Sequence, residues 1–253
     1  MNLDATSLAI LWPAFIAGLL VTATHVPLGM QVLKRGIVFI DLAVAQIAGV
    51  GVILADFLGW EPTGAAVQVA ALAAALAGAM LLTWTERRWP EVQEAIIGVV
   101  FVLASSVAIL LLAKNPHGGE HLKDLLVGQI LWVDPVRLAV DALVYAVILA
   151  LWFGLRERLG RIGFYVLFAC AVTISVQLVG LYLVFSTLVV PALATYYAAS
   201  RRTLKAYLVG VLGYAVGLVA SALTDLPSGS MIVCAMVVLG AAMALLGGRK
   251  TVS

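Results

Sequence analysis

The run IGFYVLFACAVTISVQLVGLYLVFSTLVVPALATYYAA, from Ile162 to Ala199, carries no charge over 38 positions and is closed by Arg161 on one side and Arg201-Arg202 on the other. At 1.5 Å per residue a single helix of that length would reach about 57 Å, nearly twice the roughly 30 Å of a bilayer's hydrocarbon. A tight apolar hairpin near Gly180 meets that length with two crossings, at 162 to 179 and 181 to 199. Outward from it, charges and Gly/Pro breaks divide the chain into further spans at 8 to 33, 37 to 58, 64 to 84, 95 to 113, 137 to 155, 206 to 223 and 229 to 247. Of the 253 residues, 64% are hydrophobic and 11% charged, against roughly 25% charged in a soluble domain. The reading is all-α: a polytopic membrane bundle of about nine transmembrane helices in one domain, 1 to 253. So little chain remains outside the spans that any energy-coupling module is expected on another polypeptide.

Charge placement tests the count. Twelve of the fifteen basic residues, Lys34, Arg35, Arg87, Arg88, Arg156, Arg158, Arg161, Arg201, Arg202, Lys205, Arg249 and Lys250, fall on one side of the nine-span arrangement. Lys114, Lys123 and Arg137 fall on the other. Basic residues accumulate on the cytoplasmic side, so the N-terminus is expected outside and the C-terminus in the cytoplasm. Making 162 to 199 a single crossing would separate Arg201-Arg202 from Arg156, which the same rule disfavours. No Lys or Arg precedes Lys34, so the first apolar stretch lacks the basic region of a cleaved signal and is expected to be retained. Cys170 and Cys234 fall in apolar runs, where a small buried hydrophobe is expected rather than a disulfide or a thiolate metal site.

Two connecting segments are informative. Between Lys114 and Pro135, the stretch His121 to Val133 repeats apolar residues at three and four, an amphipathic pattern suited to the outer interface with Trp132 at headgroup depth. The short basic loop Arg156-Glu157-Arg158-Leu-Gly-Arg161 suits either lipid attraction or the docking of a cytoplasmic protein. Small residues at 65 to 80 and at Gly210, Gly213 and Gly217 allow helices to approach closely.

Ionisable groups inside hydrocarbon cost several kcal/mol unless paired or hydrated, so His25 and Asp41 are the first candidates for chemistry. Counting from the Lys34-Arg35 turn, His25 lies about ten residues up the first span and Gln46 about ten up the second, which antiparallel packing would bring to similar depth. Carboxylate, amide and imidazole together suit a borderline divalent cation such as zinc or manganese. A second reading stays open: His25 bonds a backbone carbonyl beside Pro27, and Asp41 pairs with Lys34 or Arg35. His117-Gly-Gly-Glu120-His121 spells a zinc-protease pattern, but Pro116 and two glycines resist the helix that chemistry requires. Metal capture or contact with a delivering protein at the outer mouth is the better functional reading, beside that of an ordinary polar loop. No phosphate-binding loop, nucleophile elbow or basic aromatic surface occurs, so neither ATP hydrolysis nor nucleic-acid binding is expected of this chain.

Four stretches in order, Val32 to Asp41, Leu125 to Val133, Gln177 to Ala192 and Asp225-Leu-Pro-Ser-Gly-Ser230, resemble the permease subunits of zinc, manganese and iron ABC importers. The resemblance covers most of the chain. It implies a homodimer, cytoplasmic ATP-binding subunits that hold the ATP, an extracytoplasmic metal-binding protein, and a transported divalent metal rather than a permanent cofactor. It places ATPase coupling at Arg156, Glu157, Arg158 and Arg161, although the loop is shorter than usual and lacks the family's acidic stretch. Members of this family often follow the aspartate of the second span with a histidine four residues on; here that position is Ala45, with Gln46 beside it. Asp41 is carried over as a site residue, and His25 is expected to supply the missing imidazole. The break at Val190-Pro191 is expected to act as a gate or hinge, because proline leaves a carbonyl free at membrane depth. Two rivals are a proton-coupled secondary transporter using Asp41 and Glu94, and an intramembrane metalloprotease built on His117, Glu120 and His121.

Overall fold

A computed structural model describes residues 5–60, 64–112, 126–155, 158–198 and 200–246. The described residues form nine α-helices: α1 (Ala5–Arg35), α2 (Ile40–Phe57), α3 (Ala65–Arg88), α4 (Gln93–Leu112), α5 (Pro135–Leu155), α6 (Gly160–Val179), α7 (Leu181–Ala194), α8 (Arg202–Thr224) and α9 (Ser228–Leu246). Two 3₁₀ turns, Pro90–Val92 and Ile130–Trp132, complete the regular structure, with no strand among the described residues. This is the expected all-α bundle.

The nine helices stand where about nine crossings are expected, and one of them is short. Eight helices are long and apolar enough to span a membrane, whereas α7 has only 14 residues, about 21 Å of helix against about 30 Å of hydrocarbon. The uncharged run does divide at Gly180, whose φ of 86° and ψ of 159° end α6 in a backbone conformation that favours glycine. The second half then stops at Ala194, five residues short of the expected 199. The Thr195 hydroxyl donates to the Pro191 carbonyl at 2.9 Å, and Tyr196 N–H donates to Leu193 O in a turn. Those carbonyls are thereby satisfied without a further helical turn.

Contacts group the chain into two compact units, each described by itself. The first comprises residues 1–35, 127–147 and 178–253 and is built on α1, α7, α8 and α9. Its helices meet through small residues: Gly18 lies under the Tyr214 ring, Gly29 under the Leu188 backbone, Gly210 against Thr22, and Gly213 and Gly217 against Met236 and Ile232. A methyl group at any of these would enter its neighbour, so the expectation for the three glycines of α8 holds. The second unit comprises residues 36–126 and 148–177, with α2 packed on α3 and α4. There Gly51 abuts Ala70, Ala71 and Ala74, and Gly78 abuts Ile47.

The stretch expected to be an amphipathic helix to Val133 is described only from residue 126, and that part is not helical to its end. Gly128 takes φ of 71°, and a single 3₁₀ turn follows at Ile130–Trp132. The break has a packing cause. Gly128 lies directly against the backbone of Val179 and Gly180, an approach that admits no side chain on either glycine. Ile130 is buried, while Trp132 is 78% exposed, as a residue at headgroup depth would be. Neither cysteine is fully buried as expected: Cys170 is half-buried and Cys234 exposed, and both are free thiols.

Candidate functional site

Asp41 stands in the first turn of α2 and is 0% exposed. Both of its carboxylate oxygens lack a hydrogen-bond partner among the described residues. The expected alternative, an ion pair with Lys34 or Arg35, is not formed. The backbone explains how the residue is held there: Gly36 takes φ of 69°, the chain turns through Ile37 and Val38, and α2 begins with Ile40 N–H on Ile37 O at 3.2 Å. The start of the helix is capped from another element. The Glu94 carboxylate, in the first turn of α4, accepts the Phe39 N–H at 3.2 Å. A negative group at that end also suits the partial positive charge of the helix N-terminus.

Gln46 lies further along α2 and is 9% exposed. Five residues correspond to about 140° of rotation past a full turn and about 7.5 Å of rise, so Gln46 points away from the face of Asp41. Ala45, one turn on from Asp41, shares that face. A carboxylate and a neighbouring amide therefore do not converge from α2 alone.

His25 lies on α1 in the other compact unit, and is fully buried. Its Nδ1 is 3.0 Å from the Val21 carbonyl and 3.0 Å from the Thr24 hydroxyl, which itself donates to Val21 O at 3.0 Å. A ring nitrogen facing a carbonyl carries the proton, so this network assigns the Nδ1–H tautomer. Nε2 is left with its lone pair and no partner among the described residues. Both open readings of His25 are thus partly met: one nitrogen bonds a backbone carbonyl, and the other is free to ligate.

The remaining expected residues divide. His117, Glu120, His121, Arg156 and Glu157 lie outside the described residues. Arg158 is exposed, and Arg161 approaches Glu86 of α3 at 3.5 Å. Pro191 is buried within α7, where the helix continues for three more residues past it. Among the described residues no three His, Cys, Asp or Glu side chains gather closely enough to hold a metal ion.

Sequence reasoning missed three features. Glu94 as the cap of α2 is marked only by its acidic position in the first turn of a helix. Tyr207, whose hydroxyl donates to the Ala23 carbonyl at 3.1 Å across 184 positions, leaves no sequence signal at all. The third is the meeting of family-like stretches: Gly128 against Val179 and Gly180, and Gly229 against the Val127 carbonyl. Parts of three of the four stretches meet there as backbone, so their chemistry is that of packing.

The model of the ABC 3 transport family matches residues 7–162 and 149–246. The chain belongs to the ABC 3 transport family. An uncharacterized membrane protein of Synechocystis sp. is 27% identical over 242 residues, covering 87% of this chain and 84% of that protein. A Chlamydia trachomatis protein named "Probable metal transport system membrane protein" is 25% identical over 259 residues, covering 90% and 85% respectively. The fold is similar to that of a chain of PsaBC from Streptococcus pneumoniae, solved in complex with Fab, with a TM-score of 0.74 at 20% identity over 94% of this chain and 90% of that one. These findings bear out the resemblance to ABC permeases. This ABC 3 family chain is a multi-pass membrane transport subunit rather than an enzyme, which removes the metalloprotease rival, and membership implies an ATP-binding partner and a substrate-binding protein.

Proposed function

We propose that this chain is the permease of an ATP-driven importer that passes a divalent metal ion inward across the cytoplasmic membrane, zinc or manganese foremost and iron third. The observation that carries the reading is Asp41: a carboxylate with two oxygens unpartnered among the described residues, buried in the first turn of a spanning helix. Keeping such a group inside a membrane is costly, and a passing cation offsets that cost. The family match and the name of the Chlamydia trachomatis relative support metal as the cargo.

In this mechanism the ATP-binding subunits drive two copies of the permease between outward-open and inward-open states, and an extracytoplasmic metal-binding protein delivers the ion. The ion moves because its affinity for the permease differs between the two states. Asp41 attracts it, and the bare Nε2 of His25 offers a ligand on its way; Gln46 contributes an amide further along α2. Pro191 serves as the hinge, and Arg158 and Arg161, with Arg156 and Glu157, form the contact with the ATPase. The N-terminus lies outside and the C-terminus inside.

The test is ATP-dependent uptake of zinc, manganese and iron into vesicles holding this chain, its ATPase and its binding protein. Asp41→Asn is expected to abolish uptake of the preferred metal while the complex still assembles and hydrolyses ATP. Unchanged uptake in that variant would remove Asp41 from the path. If His25→Ala leaves uptake and metal affinity unchanged, His25 is not a ligand.

A further inference from the structure

At one end of α3 the second compact unit holds a groove of about 360 Å³, lined by Ala79, Met80, Thr83, Trp84 and Arg87 of α3 and by Ile162, Tyr165 and Val166 of α6. The wall is apolar even at Thr83, because its hydroxyl is turned onto the Ala79 carbonyl at 2.7 Å. One end is charged. Arg87 is exposed and makes no ion pair among the described residues, and Arg88 lies over the Trp89 ring at 5.9 Å. Arg161 and Glu86 pair at 3.5 Å, and Glu91 follows in the next turn, so both signs are present near this end. Trp84 and Trp89 meet edge to face at 5.3 Å, which sets two indoles beside the arginines, as at a headgroup boundary.

The geometry points to a binding site for one anionic phospholipid, its acyl chain lying along the groove from Arg87 towards Ala79 and its phosphate on Arg87. Two independent features favour this occupant. The groove lies on spanning helices and is apolar along about 12 Å from residue 79 to 87, a path that a hydrocarbon tail fills and a soluble ligand does not. Arg87, unpaired among the described residues, sits at the end of the spans, where phosphate groups lie. Basic pockets between helices at that depth hold anionic headgroups, and each Lys or Arg near the surface contributes about 1 kcal/mol. The site is separate from Asp41 and His25 and does not rest on the identity of the transported ion.

The experiment is native mass spectrometry of the full chain in detergent, titrated with phosphatidylglycerol or with phosphatidylcholine of the same acyl chains. Wild type is expected to retain one phosphatidylglycerol in preference to phosphatidylcholine. Arg87→Gln is expected to reduce that retention about fivefold, the factor equivalent to about 1 kcal/mol, and to leave phosphatidylcholine unchanged. Met80→Trp, at an exposed groove position, is expected to reduce both lipids by filling the tail path. Lys205→Gln, which removes a cation elsewhere, is expected to change neither. Equal loss from Arg87→Gln and Lys205→Gln would mean diffuse attraction and overturn the site, as would undiminished phosphatidylglycerol retention in Arg87→Gln or in Met80→Trp.

Discussion

Pro27 leaves the Ala23 carbonyl without its helical donor, and the Tyr207 hydroxyl supplies one at 3.1 Å. Replacing Tyr207 with Phe keeps the ring and removes only that donor. The expected cost is about 1 kcal/mol, read as a lower Tm of the purified protein in detergent. In a Pro27→Ala background the backbone N–H returns, so the same change should then cost close to nothing; equal costs in both backgrounds would show that the hydroxyl acts elsewhere. Asp41 and His25 pose a different question at this scale. Asp41 could be found from the sequence, because a carboxylate in an apolar run is costly wherever it packs. That both its oxygens stay unpartnered, and that Val21 and Thr24 leave Nε2 of His25 bare, depend on hydrogen bonds that spacing does not specify.

Glu94 joins two elements. Its carboxylate caps the helix that carries Asp41, and this is an acceptor role that a neutral amide can fill. Glu94→Gln is therefore expected to retain metal uptake, whereas Glu94→Ala should lower the Tm by an amount equivalent to about 1 kcal/mol. A proton-coupled carrier would instead lose transport in Glu94→Gln. The break between α6 and α7 is a second element-scale feature. Gly180 combines a φ of 86° with direct contact to the Gly128 backbone. Gly180→Ala is expected to reduce the yield of folded protein sharply, because a Cβ there meets both strain and a backbone that has no rotamer to change. Fluorescence-detected size exclusion would report the loss. The apolar run announced two helices and its glycine marked the boundary, but nothing in the run marks the early end of α7 at Ala194, where the Thr195 hydroxyl donates to the Pro191 carbonyl.

For the whole molecule, the proposed orientation has the C-terminus in the cytoplasm. A reporter fused after Ser253 that is active only in the cytoplasm is expected to be active, and one fused before Met1 is not; the reverse pattern would invert the proposed orientation. Family membership implies an ATP-binding partner, and ATP-dependent uptake is expected to vanish when that partner is omitted.

Class, span positions and the exceptional aspartate could be read along one dimension. The thickness of hydrocarbon sets a helix length, basic residues stay on one side of it, and a buried charge is costly in any packing. The glycine contact at 128 and 180, the cap from Glu94 and the groove beside Arg87 could not be read in that way. Each arises where residues far apart in sequence meet, and only folded backbone decides which carbonyls lack donors and which side chains supply them.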